Sequence, residues 1–232
     1  MISVVVSVLA LASFGVGADT SGCKSADSAS VKSETIRTNY WMLYISDTDT
    51  SYPRAQFRFG QDYGTTLELT GASRTSFGDQ PLAWNATLDW YERGTPGELT
   101  SGAWSYTNND GKTFRNAVPA RQEARLPAAL PASLPATASY ELTWDGPPLR
   151  TGETLEAILA HDENRLQFIA VFQSNTGATS LVLPSVDLAK LPRGATRVVL
   201  QRHEDHPLDQ GPGAGGKVVT TFESPSRLVT LQ

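Results

Sequence analysis

Three groups of residues in this chain have the types and spacing that chemistry asks for. His203-Glu204-Asp205-His206 puts two imidazoles and two carboxylates into four positions, a density that suits a divalent cation. Ligands three apart share a face on a helix, yet Val198 to Gln201 leads in as a strand and Pro207 ends the run. On an extended chain such residues point to opposite faces, so the segment is expected as a solvated loop with no metal. Asp47-Thr48-Asp49-Thr50-Ser51 opens like a calcium loop, but Tyr52 stands where glycine is needed and Arg58 where a bidentate carboxylate is needed. Trp41, Trp84, Trp90 and Trp104 crowd the first half. Flat indole faces stack on sugar rings, which makes these four the candidate ligand platform; rings of that size also fill cores and cross-strand pairs. Trp90 shares a face with Leu88, which favours burial.

Catalytic signatures are missing. There is no Gly-x-Ser-x-Gly elbow, no phosphate-cradling glycine loop and no His-Glu-x-x-His. No catalytic residue and no cofactor is expected. His161 follows an apolar run and reads as the end of a strand. Asn85-Ala86-Thr87 matches a glycosylation sequon, read as a coincidence on the polar face of a strand.

Cys23 is the single cysteine of the 232 residues. It follows an apolar leader, Ile2 to Val16, of about 15 residues, short of the roughly 20 that a spanning helix needs and suited to an export signal. A lone thiol is a liability in an exported protein unless it is capped. Thr20-Ser21-Gly22-Cys23 resembles a lipobox, whose cysteine becomes the acylated N-terminus, although Thr20 stands where an aliphatic residue is usual. Val16-Gly17-Ala18 also suits ordinary signal peptidase, cutting before Asp19 and leaving Cys23 free. Residues 1–22 are expected as signal peptide and Cys23 as the lipid attachment site. Lys24, in place of Asp, favours the outer membrane; without the lipid the protein would be secreted.

Beyond the leader, 19 basic residues face 23 acidic ones, spread along the chain, which gives no electrostatic case for nucleic acid. Residues 23–34, small and polar without periodicity, read as a flexible tether. From Thr35 the chain alternates: Leu67 and Leu69 share one face, as do Ala86, Leu88 and Trp90. Asn109-Asp110-Gly111 between two aromatic-bearing runs is a hairpin signal. Residues 35–125 are expected to form one β-sandwich. In 126–136 (RLPAALPASLPA spans 125–136) Pro127, Pro131 and Pro135 each follow a leucine, so no helix can form; the stretch reads as a connector with leucines pinned to neighbouring surfaces. Seven candidate strands follow in 137–232, with one helical turn at Ser185 to Leu191 capped by Ser185.

Cys23, the Tyr106–Phe114 hairpin (YTNNDGKTF), the turn Trp144-Asp-Gly-Pro-Pro-Leu149 and the closing Leu191–Arg202 (LPRGATRVVLQR) together look like bacterial cell-envelope lipoproteins with immunoglobulin-like domains. The resemblance implies an all-β fold, two tandem immunoglobulin-like antiparallel β-sandwiches after a signal peptide and short tether. It supplies no catalytic residues. The expected function is a non-enzymatic binding or structural module, anchored to the membrane by its lipid, with a protein or glycan partner. A carbohydrate-binding module using the first-half aromatics is the alternative, and a hydrolase the third.

Overall fold

A computed structural model describes residues 25–232. The first half folds into β1 (Ala26–Asp27), β2 (Ile36–Ile45), β3 (Thr50–Phe59), β4 (Leu67–Glu68), β5 (Arg74–Phe77), β6 (Gln80–Pro81), β7 (Ala83–Asn85), β8 (Trp90–Glu92), β9 (Thr95–Pro96), β10 (Ala103–Thr107) and β11 (Thr113–Ala117). The second half gives β12 (Ser133–Leu134), β13 (Tyr140–Thr143), β14 (Glu153–His161), β15 (Phe168–Gln173) and β16 (Ser180–Leu183). One helical turn, α1 (Ser185–Leu188), precedes β17 (Gly194–Pro207), β18 (Gly216–Glu223) and β19 (Arg227–Leu231). Pro184, not Ser185, occupies the cap of that turn.

Alternation drives the layering. In β2, Ile36, Tyr40 and Met42 enter a core closed by the sheet β11-β10-β5-β6, which contributes Phe77, Trp104, Tyr106 and Phe114. Rings pack there without a disulfide: Phe57 lies 4.6 Å from Tyr106, and Trp104 5.4 Å from Tyr40. A second core gathers Leu142, Leu155, Leu159, Leu183, Val198, Leu200 and Leu231. Here the pair β13–β16 faces β14, β17 and β19. The all-β class with two sandwich units is thus observed.

The two units share one sheet, which runs β12-β19-β17-β18-β2-β3-β8-β7, with β14 joined to β17 and β15 to β14. β18 lies parallel to β2, from Gly216 opposite Thr38 to Glu223 opposite Ile45, and sends Val218 into the first core. Along one edge of β17 the partner changes. β19 covers residues 194–198 and β18 covers 201–207. At the gap, Ser224 donates its N–H to the Leu200 carbonyl (2.8 Å) and its Oγ accepts the Leu200 N–H (3.0 Å). Gly216 makes the seam possible: its φ is +142°, and a Cβ there would sit 1.7 Å from the Thr38 carbonyl oxygen.

Several expected boundaries move. Residues 25–34, expected as free tether, lie against the first sandwich: β1 pairs with β4, Ser28 is buried, and Ser33 Oγ accepts from Asn108 Nδ2 at 2.9 Å. Small residues without periodicity here allow close contact in place of freedom. The proline-rich stretch is pinned as expected, with Leu126, Leu134 and Ala136 in the second core and β12 beside β19, so it is part of the second sandwich. Residues 85–90 are not one strand but the turn of a β7–β8 hairpin. Asn85 accepts from the Thr87 N–H (3.1 Å) and Asp89 takes a φ of 55°, a conformation that aspartate tolerates. The Asn109–Gly111 hairpin forms between β10 and β11 as read.

An ion pair stands beside the second core. Arg202, 2% exposed, bonds the Glu153 carboxylate and the carbonyls of Pro147 (2.7 Å) and Pro148 (2.9 Å). Burial would raise the Glu153 carboxyl, but hydrogen bonds from Arg202 and Arg150 outweigh it and hold it below its ordinary value. A depressed acid contributes stability above its unfolded pKa and loses it as pH falls through the folded one. Chemical denaturation from pH 6 to pH 3 should therefore show a decline that Glu153→Gln flattens; an unchanged slope would contradict the pairing. Gly216→Ala should cost about 2–4 kcal/mol, against about 1 kcal/mol for Gly177→Ala, whose φ is also positive but whose Cβ meets nothing within 4 Å. Urea midpoints of the two variants compare them directly.

Candidate functional site

The pleat that buries Tyr40 and Met42 turns Trp41 and Leu43 to the opposite face of the large sheet. Register then lines up neighbours across strands. Val219, Trp41, Arg54 and Glu92 form one row, and His203, Thr221, Leu43 and Tyr52 the next. A cleft of about 110 Å³ lies over these rows, lined by Trp41, Leu43, Arg54, Trp90, Gln201, His203, Val219 and Thr221. A wider one of about 300 Å³ adjoins it, shares Trp41 and Trp90, and runs on over Gln56, Arg58, Leu88 and Asp89. The site straddles the seam between the two halves.

Its polar groups are largely tied to one another. Arg54 Nε donates to Glu92 at 3.0 Å, and its guanidinium lies 4.6 Å from the Trp90 ring centre. His203 bridges Thr221 Oγ1 (2.9 Å) and Glu156 (3.3 Å). Gln201 Nε2 donates to Glu223 at 2.7 Å. Burial pushes the Glu223 carboxyl up to about 7; Asp47 and Glu156 add to the rise, while Gln201 and Arg54 oppose it. Among the described residues, three buried atoms on this face have no hydrogen-bond partner: Asn39 Oδ1, Trp90 Nε1 and Gln201 Oε1. Gln201 is 2% exposed and Trp90 6%.

Glu156, His203 and Thr221 make a carboxylate–imidazole–hydroxyl chain, the order used in acyl transfer. Thr221, however, lies in mid-strand between β17 and β2. The arrangement holds the imidazole of His203 between the side chains of two strands, β14 and β18.

The sequence candidates separate. Trp41 and Trp90 reach the cleft. Trp104 is 0% exposed in the first core, and Trp84 packs on Tyr91 (5.0 Å) on that same core side, so the four indoles form no single plane. Strand alternation divides them. His203 to His206 belong to β17, not to a loop, and His206 falls on the face opposite His203, 3.8 Å from Glu204. Among the described residues no three His, Cys, Asp or Glu side chains are placed to hold a metal ion. Asp47 and Asp49 serve the β2–β3 turn, accepting from the Ser226 N–H (2.9 Å) and the Tyr44 hydroxyl (3.0 Å). Cys23 and the leader lie outside the described residues. Sequence reasoning missed Arg54, Gln201, Val219 and Thr221. The alternation Tyr52, Arg54, Gln56, Arg58 could have flagged a polar face of β3, but no local signal sets Gln201 beside Trp41.

No known protein family and no curated protein matches the chain. Among solved structures it is similar to a D1–D4 ectodomain fragment of ICAM-5, with 16% identity and a TM-score of 0.24 over 84% of this chain and 51% of that one. It is also similar to the Bacteroides ovatus mixed-linkage glucan utilization locus protein SGBP-B, solved with a mixed-linkage heptasaccharide. There the identity is 11% and the TM-score 0.19, over 83% of this chain and 60% of that one. The chain thus spans about half to three fifths of the length of these neighbours.

Proposed function

We propose that this chain is an exported, non-enzymatic binding module of the bacterial cell envelope, anchored through lipid on Cys23, and that it takes a glycan in the cleft at Trp41 and Trp90. The observation that carries the reading is the cleft itself. It sets a half-buried indole, Trp41, beside the polar side chains of Arg54, Gln201, His203 and Thr221. Aromatic faces and hydroxyl-matching polar atoms are what sugar recognition requires. Thr221 and His203 are held within paired strands, which supports binding over turnover. The leader and its single cysteine support export and anchoring. Among the described residues no helix is long and apolar enough to cross a membrane.

An array of soluble oligosaccharides should show binding by the wild type and at least a tenfold loss in Trp41→Ala, with no release of reducing ends on prolonged incubation. Retained binding in that variant would remove the site, and released sugar would restore the hydrolase. Intact mass of the protein from a bacterial host should report an acylated chain starting at Cys23. A chain starting at Asp19 with a free thiol would remove the anchor.

A further inference from the structure

We infer that loop 59–64 is a second membrane contact, which sets the exposed rings of Phe59 and Tyr63 into the interfacial layer of the bilayer that holds the Cys23 lipid. This rests on the lipid-anchor reading above and adds to it.

Position is the first support. β2 starts and β3 ends at one tip of the large sheet. There the Gly60 N–H donates to the Thr35 carbonyl (2.8 Å) and the Phe59 N–H to the Thr65 carbonyl (2.9 Å). The described chain enters at this same tip. Ala26 donates its N–H to the Thr66 carbonyl (2.9 Å), beside the bridge between Thr66 and Arg58. Paired backbones lie about 4.8 Å apart, so Ala26 runs one strand away from the arm that leaves the loop. Tyr63 precedes Thr66 by three residues, about 11 Å of backbone at most. Only Lys24 and Ser25 stand between Ala26 and the cysteine. A lipid on Cys23 therefore sets the bilayer against the tip that carries this loop.

The loop itself is built to present its rings. Tyr63 is 83% exposed and Phe59 46%. Arg37 holds the Asp62 carboxylate through both Nε and Nη2, and Arg58 Nη1 donates to the Gly64 carbonyl at 3.0 Å. Gly64 closes the turn so tightly that a Cβ there would lie 1.8 Å from the Phe59 carbonyl oxygen. A turn already fixed loses little freedom when its side chains enter another phase. Tyrosine, an apolar ring with a polar end, suits the boundary between headgroups and hydrocarbon.

Charge selects the kind of contact. Asp62 carries the one charge of loop 59–64, and Arg37 cancels it. The segments beside it have no basic excess, with Asp27, Glu34 and Glu68 set against Lys32 and Arg58. Attraction to anionic headgroups, which takes clustered lysine and arginine, is therefore not the driving force. Burial of the two rings is, and it is insensitive to salt.

The test uses the acylated protein from a bacterial host, reconstituted in phosphatidylethanolamine–phosphatidylglycerol vesicles. A nitroxide is placed on Gln61→Cys, an exposed position between the two rings, or on Glu163→Cys, exposed in the turn between β14 and β15. Acylated Cys23 has no thiol to take the label. Collision with an aqueous nickel complex should be at least about threefold lower at 61 than at 163, and collision with oxygen, which concentrates in lipid, higher. Neither value should change up to about 0.5 M salt, nor when phosphatidylcholine replaces phosphatidylglycerol. Phe59→Ser combined with Tyr63→Ser should restore nickel access at 61 while the protein stays on the vesicles through its lipid. Three results would overturn the inference and leave the anchor standing: equal nickel access at 61 and 163, protection that survives loss of both rings, or protection from nickel and oxygen alike, the sign of a protein contact. An intact mass without the acyl group would remove the anchor and this inference with it.

Discussion

The parallel contact between β18 and β2 ties opposite ends of the chain together, and both the architecture and the candidate site depend on it. Closing a loop of that size costs roughly 4 to 5 kcal/mol by the logarithmic scaling of chain entropy. What offsets it is a central position: β18 hydrogen-bonds on both sides and buries Val218 among the first-half rings. Gly216 sets how closely the two backbones approach. Without this strand β2 would be a long apolar edge, the kind of surface that natural sheets avoid leaving bare.

From that contact follows the geometry of the cleft. β17 serves both units, trading β19 for β18 along one edge, and Ser224 fills the switch with its own hydroxyl and N–H. Gln201 and His203 lie just past this point, on the face where Trp41 and Leu43 emerge. The same switch gives Arg202 its place on the opposite face, against Glu153. One strand thus presents a structural ion pair on one side and a cleft-lining amide and imidazole on the other.

How much of this could be read from residue order is clear from particular elements. The seven candidate strands read in 137–232 form as β13 to β19, because turn residues punctuate the chain between runs suited to strands. Asn109-Asp110-Gly111 announced its hairpin through backbone chemistry alone. Residues 85–90 alternate just as well, yet Asn85 and Asp89 bend them into a turn, since side-chain hydrogen bonding to the backbone outweighed the pattern. Splitting the chain at the proline-rich stretch hid the site. Alternation says which residues share a face of one strand, and it is silent on which distant strand lies alongside. Trp41 was therefore visible as a candidate, while its neighbours Val219 and Thr221 were not.

The packing of residues 25–34 along β4 and the 108–110 turn also bears on how the protein would stand at a bilayer. Two residues, Lys24 and Ser25, separate Cys23 from Ala26, a reach of about 10 Å at full extension, little more than the depth of a headgroup layer. An acyl chain on that cysteine would leave the folded body on a very short leash. Its pitch and roll over the lipid surface would be confined, and the cleft at Trp41 would have a preferred bearing instead of sweeping freely through the surrounding space.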